Sequence, residues 1–256
     1  MRRARRLWIA GGGCYGRHYA RQLGPALSSP RGPWAGAELR VIDRDASCAA
    51  VSEAAALEVG DWDEILAQRL AATEATGEWL IPAPFTPHLF ARWLARALAA
   101  TRIDVRTVDP PLLPETPFAR LTAGRLVFSF AEWRCPTHCI EPAICPATRQ
   151  PKSWDLGREL AAYVMRLREG GITPLAGPFV ARLAPVARGV SGFPLSDWAR
   201  AARQVRALLE GAHARTHAYA LVATASSCHG AASLMRFEKK KAPVVAGARP
   251  SVPSAP

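Results

Sequence analysis

Lysine is almost missing from this 256-residue chain: Lys152 and the run Lys239, Lys240, Lys241 are the only lysines among 33 basic residues, and the rest are arginine. Against 21 acidic residues the formal net charge is +12. Arginine in an Ala- and Pro-rich chain is the texture of a GC-rich genome, so most of it is expected on solvated faces. Charge alone supplies at most non-specific attraction to nucleic acid, which is therefore not an expected partner. The tight basic clusters, Arg2 to Arg6 and Lys239 to Lys241, lie at the two ends.

Long apolar runs are absent too. No stretch approaches the roughly 18 uncharged residues of a membrane span, and the basic start leads into a strand and a glycine turn rather than a signal-peptide core, so a cytoplasmic protein is expected. The chain also lacks G-x-S-x-G, H-E-x-x-H and a Walker A lysine, the signatures of an esterase elbow, a zinc protease and a P-loop. At 49% hydrophobic residues it can bury one sizeable core, or a nucleotide domain with a smaller appendage.

What is present begins at residue 7. An apolar run, Leu7-Trp-Ile-Ala10, breaks into Gly11-Gly12-Gly13-Cys14-Tyr15-Gly16 and then into a helical pattern. This is a G-x-G-x-x-G fingerprint between a strand and a helix. Gly11 allows a tight turn, Gly13 lets a pyrophosphate approach the backbone, and Gly16 lets the helix pack closely on the sheet. The next strand, Glu38 to Asp43, ends in an acid where a dinucleotide enzyme holds the adenosine ribose. Its distance from the glycines is stretched by a Pro/Gly loop, Ser28 to Gly36.

Strands and helices alternate through the first hundred residues, the pattern of a parallel sheet covered on both faces. Helices are predicted over Tyr15 to Leu23, Ala46 to Ala56, Asp63 to Ala72 and Pro87 to Ala100. Strands are predicted at Leu57 to Val59, Glu78 to Pro82 and Ile103 to Val108, the last closing this half. Further on, strands are predicted at Leu126 to Phe130, Phe179 to Val190, Tyr219 to Thr224 and Ala232 to Phe237. Helices follow at Ser153 to Glu169, capped by Ser153, and at Ser196 to Leu209. The expected architecture is α/β: a Rossmann-like dinucleotide-binding domain over 7–110, a smaller cysteine-containing α/β region over 111–237, and a disordered tail over 238–256.

The N-terminal half resembles the TrkA-N (RCK-type) nucleotide-binding family. The matching residues are the Gly11 to Gly16 turn, Val41-Ile42-Asp43-Arg44-Asp45, and Val59-Gly60-Asp61. The resemblance covers about residues 7 to 110 and implies a bound NAD, or NADP, with Asp43 at the ribose and Asp61 near the adenine. Arg44 beside Asp43 pulls toward NADP. Two departures from the family are the Ser28 to Gly36 insertion and the prolines Pro82, Pro84 and Pro87. The resemblance does not extend to the cysteine-containing half.

Three of the six cysteines fall on one proline-studded loop, Cys135-Pro-Thr-His-Cys139-Ile-Glu-Pro-Ala-Ile-Cys145-Pro. Such clustering in a reducing compartment suggests a metal or a redox role more than disulfides. Thiolates suit zinc or an iron–sulfur cluster, both of which want four ligands. Cys228, in a small-residue turn, is the candidate fourth ligand to Cys135, Cys139 and Cys145, with His229 or His138 in reserve. Reactive thiols and merely buried cysteines remain open, and Cys14 and Cys48 belong with the latter, although Cys14 lies in the glycine turn.

Catalytic candidates do not form a constellation. His88 could donate a proton from a helix start, His229 could lower the pKa of Cys228, and Glu132 and Glu141 flank the loop cysteines but are expected to be exposed. Two functions therefore stay open: an NAD(P)-dependent oxidoreductase with a cysteine-ligated metal or redox-active thiols, and a non-catalytic nucleotide sensor like the TrkA-N domains. A precorrin-type dehydrogenase and a methyltransferase are further outsiders. The expected partner is a small-molecule nucleotide, with a homodimer left open as the assembly.

Overall fold

The computed structural model describes residues 4–53, 56–72, 75–82, 89–99, 101, 103–136, 139, 141–210 and 217–240. The first sheet starts with β1 (Arg6–Ala10), whose apolar residues point alternately to its two faces. β1 runs parallel to both β2 (Glu38–Asp43) and β4 (Glu78–Pro82), and β3 (Ala56–Val59) adds parallel to β2. The order is β3-β2-β1-β4, after which β10 (Val190–Pro194) and β9 (Ala184–Ala187) join antiparallel. The sheet is thus mixed, four parallel strands with an antiparallel extension drawn from late in the chain.

Both faces of this sheet are covered, as the continuous apolar run Leu7 to Ala10 requires. Leu7 and Ile9 pack under α1 (Cys14–Ser28), with Ala20, Leu23 and Val41. Trp8 and Ala10 face α2 (Trp62–Ala72), α3 (Leu89–Ala99) and α5 (Ser196–Glu210). The α3 segment buries Leu89, Phe90, Trp93, Leu94 and Leu98, the helical stripe expected of an amphipathic element. Trp198 of α5 is fully buried and stacks on Phe90 and Phe193 at ring distances of 5.1 and 5.4 Å.

Part of the arginine is not on solvated faces. Arg6 and Arg40 interleave with Glu38, Glu58 and Glu78 at the start of the parallel strands, and the Arg6 and Arg40 side chains are only 22% and 23% exposed. The guanidiniums of Arg6, Arg40 and Arg69 lie 5.3 to 5.6 Å from the Trp8 ring, whose indole N–H donates to Glu78 at 2.6 Å. Weak hydration and a planar, polarisable head let arginine take such half-buried places over an aromatic ring.

The second sheet has the order β6-β7-β12-β11-β8. These strands are β6 (Phe118–Thr122), β7 (Arg125–Ser129), β8 (Leu175–Arg182), β11 (His217–Ala225) and β12 (His229–Lys239). The long β12 takes β7 along its first residues and β5 (Ile103–Val108) along its last. One face packs on α4 (Leu156–Glu169) through Leu156, Leu160, Tyr163, Val164 and Leu167. The other face turns toward α3 and α5, so the two sheets share one core.

Several expectations change. The fifth strand does not close the first sheet; it pairs with β12 in the second. Residues 45–53 form successive turns instead of a helix, because the Asp45 carboxylate takes the Ser47 N–H and hydroxyl and short i to i+3 bonds follow. The cap of α4 is Asp155, which accepts from Gly157 and Arg158, so that helix begins at Leu156 and not near Ser153. Phe179 to Val190 is divided among three strands, with Leu183 between β8 and β9. Glu238 and Lys239 belong to β12 and not to the tail, the rest of which beyond Lys240 lies outside the described residues. No described helix is long and apolar enough to cross a membrane.

Candidate functional site

The glycine turn leaves the C-terminal end of β1, beside the end of β2. Gly11 has φ +102, which only glycine adopts without strain. A Cβ on Gly16 would stand 2.0 Å from the Gly11 carbonyl oxygen, so the third glycine is what lets α1 start this close to the turn. A Cβ on Gly12 would meet the Cys48 sulfur at 2.2 Å, which gives the buried Cys48 a packing role. A Cβ on Gly13, the N-cap of α1, would touch nothing within 4 Å. The open face of the turn is therefore at Gly13, with Cys14 and Tyr15 exposed beside it.

Asp43 ends β2 and reaches this turn. One carboxylate oxygen accepts the Gly12 N–H at 2.5 Å and the other the Asp45 N–H at 2.9 Å. The next two candidates pair with each other. Arg44 donates to Asp61, whose other oxygen accepts the Asp63 N–H at 2.9 Å at the start of α2. The Arg44 guanidinium is the main cause that holds the Asp61 carboxyl below its ordinary range.

The second candidate region forms where the cysteine loop meets the turn between β11 and β12. Ser226 shapes that turn: its hydroxyl accepts the N–H groups of Cys228 and His229, both at 3.2 Å. The loop is stapled to it by Glu141, whose carboxylate accepts the Ser227 N–H at 2.7 Å and the Ser227 hydroxyl at 2.6 Å. Lys152 adds bonds to the Glu141 carbonyl and to Ser227. Burial opposes ionisation of Glu141, but hydrogen bonds from Ser226 and Ser227 and the nearby His229 together hold its pKa below the ordinary value. Glu141 is thus a half-buried fastening, in contrast to the exposed Glu132.

A cavity of about 200 Å³ lies at this junction, lined by Cys135, Cys139, Glu141, Ser226, Cys228 and His229, among others. The structure brings three of the four proposed ligands to one cavity, and Cys145 is not among the lining residues. Cys145 instead opens a tight turn, donating its N–H to Gln150 and accepting from Arg149, both at 2.8 Å, and the Thr148 N–H holds its thiol pKa below the usual value. The Cys228 sulfur accepts the Trp154 indole N–H at 3.4 Å, and the Cys139 sulfur the Glu141 N–H at 3.3 Å. Burial, with the neighbouring thiols and Glu141 adding, pushes the Cys135 thiol up. All six cysteines are free, and among the described residues no three His, Cys, Asp or Glu side chains stand at metal-holding distances.

Trp154, Ser227 and Lys152 were not legible as parts of this site. The signal for them was tertiary: nothing in the local pattern says that a loop at 141–154 meets a hairpin at 226–229. His88 and His138, the other candidate histidines, lie outside the described residues.

A family model described as "Uncharacterized protein, C-terminal domain" matches residues 90–238, more than half of the chain, and the chain belongs to that family. The match begins within α3 and takes in the second sheet except the last residue of β12, the cysteine loop and the Cys228 turn. A search of curated proteins finds no match.

Proposed function

We propose that this member of the family is an NAD(P)-dependent oxidoreductase that carries a cysteine centre. The observation that carries the reading is the Gly12 N–H bond to the Asp43 carboxylate, which sets the glycine turn and the β2 acid side by side at the ends of parallel strands. A glycine turn beside an acid at neighbouring strand ends supports a Rossmann-like dinucleotide site. The residues fit such a cofactor. Gly13 offers open backbone for the pyrophosphate, and each Asp43 oxygen accepts one N–H, which leaves lone pairs for a ribose hydroxyl. Arg44 is engaged by Asp61, so it does not stand ready for a 2′-phosphate, and NAD is favoured over NADP.

The donor set at the second region is sulfur-rich, which suits zinc or an iron–sulfur cluster. Cys135, Cys139 and Cys228 line one cavity but do not stand at metal-holding distances, so a metal would have to draw them together, with His229 as the fourth donor and Cys145 outside the set. The Cys139 and Cys228 sulfurs each accept an N–H bond, from Glu141 and from Trp154, the kind of outer contact that orients a ligating or reactive sulfur. A metal would supply structural closure or electron transfer there.

A nucleotide-sensing regulatory protein, like the TrkA-N domains, is the second reading. The Arg44 to Asp61 ion pair favours it, since it ties the ends of β2 and β3 together beside the nucleotide turn without using a catalytic group.

Calorimetric titration of the full chain with NADH and NADPH tests the first reading. NADH is expected to bind more tightly, and Asp43→Ala to weaken it about ten- to a hundredfold, the worth of a hydrogen bond to a charged group. Equal affinities, or no effect of the substitution, would remove Asp43 from the site. No binding of either nucleotide would overturn the reading.

A further inference from the structure

A second cavity, of about 500 Å³, lies between the two sheets. Its floor follows from strand register. Phe118, Ser129 and His229 sit opposite one another across β6, β7 and β12, and Val127, Ala231 and Thr224 form the next row across β7, β12 and β11. These rows are two residues apart, so their side chains share one face of the sheet. The roof includes Tyr19 of α1, Pro82 at the end of β4, and Ser191. Leu183, Ser191 and His229 also line the cysteine cavity, so the two spaces adjoin.

Three observations say what this cavity takes. Thr224 is 5% exposed and its hydroxyl has no hydrogen-bond partner among the described residues, although buried hydroxyls are nearly always paired. In a chain with 33 basic residues, no Arg, Lys, Asp or Glu is among the described residues that line the space. A charged ligand would give up part of its hydration there and meet no carboxylate, guanidinium or ammonium among the described lining residues, His229 at the rim being the one basic group. The volume is that of a small-molecule site, and the Pro82 wall is at the strand ends where a dinucleotide would lie.

We infer that this cavity is the substrate site, and that it takes an uncharged, largely apolar molecule bearing one hydroxyl or carbonyl group, which pairs with Thr224 and lies between the strand ends of the first sheet and the cysteine cavity. The identity of the occupant as a substrate rests on the oxidoreductase reading; the cavity's preference for a neutral ligand does not.

The test uses the full chain and two fluorescent probes of similar shape, neutral N-phenylnaphthylamine and anionic anilinonaphthalene sulfonate. The neutral probe is expected to bind saturably with one site per chain, its amine standing in for the hydroxyl, and the anion to bind about tenfold more weakly or not at all. Thr224→Val, which keeps the shape and removes the hydroxyl, should weaken the neutral probe roughly three- to tenfold. Val127→Trp, which fills the floor from a half-buried position, should abolish binding. NADH affinity is measured on the same samples and is expected to be unchanged in both variants. Absent neutral-probe binding, equal binding of the anion, or neutral-probe binding indifferent to both substitutions would overturn the inference. NADH binding without probe binding would sink the cavity alone. Probe binding without NADH binding would sink the oxidoreductase reading and with it the word substrate.

Discussion

The Glu141 carboxylate takes both the main-chain N–H and the hydroxyl of Ser227, and so fastens the cysteine loop to a hairpin turn 86 residues further along the chain. Glu141 itself adopts φ +56, a left-handed conformation that a non-glycine residue holds only when its surroundings demand it. The bond is therefore the device that presents Cys135 and Cys139 to Cys228.

Because the fold lowers the pKa of Glu141, its contribution is fully present above the ordinary value of 4.5 and is lost as the pH falls through the lower folded value. Denaturation of the wild type from pH 7 down to acid should show this loss, and Glu141→Gln should show a flatter curve below pH 4.5. The same variant should make the loop a preferred site of limited proteolysis at neutral pH. Unchanged cleavage would mean that the staple does not hold the loop.

The glycines of the first turn should respond differently to alanine. Gly16→Ala drives a methyl into the Gly11 carbonyl and should lower the melting temperature as well as NADH affinity. Gly13→Ala meets no protein atom and should cost only about 1 kcal/mol through the poorer cap, yet it should still obstruct the pyrophosphate. Thermal melts with NADH titration of both variants check this. A Gly13→Ala protein with normal affinity would move the phosphates away from this turn.

Cys145→Ser is expected to leave metal content unchanged, whereas Cys135→Ser and Cys228→Ser should each remove it. Elemental analysis of the three purified variants distinguishes a ligand set drawn from the shared cavity from one drawn from the loop alone. Loss of metal in Cys145→Ser with a normal melting temperature would restore Cys145 to the set.

Trp198→Ala should destabilise the chain by about 3–5 kcal/mol, since the ring is fully buried between aromatic partners from α3 and β10. Chemical denaturation measures it. A loss under about 1 kcal/mol would mean that the two sheets do not share the core described.

How far these features could be read from sequence depends on their range. The β1 turn, β4 and α3 carry strong local periodicity or turn chemistry, and their predicted spans, like that of the weakly amphipathic α2, agree with the structure to within two residues where described. The Ala46 to Ala56 helix failed because Asp45 and Ser47 offer the backbone side-chain bonds that compete with a helix. The pairing of β5 with β12, and of β10 with β4, joins segments over a hundred residues apart, which no local pattern encodes. The cysteine site divides the same way. Clustering pointed to Cys135 and Cys139, and the small-residue turn to Cys228, but the exclusion of Cys145 rests on its own short turn, and the fastening by Glu141 and Lys152 on tertiary contact alone.

The central claim is that Cys135, Cys139 and Cys228 form a thiolate centre in a dinucleotide-binding protein, and elemental analysis with an absorption spectrum of anaerobically purified full chain tests it most directly. The account expects about one zinc ion or one iron–sulfur cluster per chain, the latter visible as broad sulfur-to-iron absorption, and absent from the Cys228→Ser protein. A chain that carries neither metal nor cluster, takes up none on anaerobic reconstitution, and shows thiols at Cys135, Cys139 and Cys228 no more reactive than ordinary cysteine would contradict it.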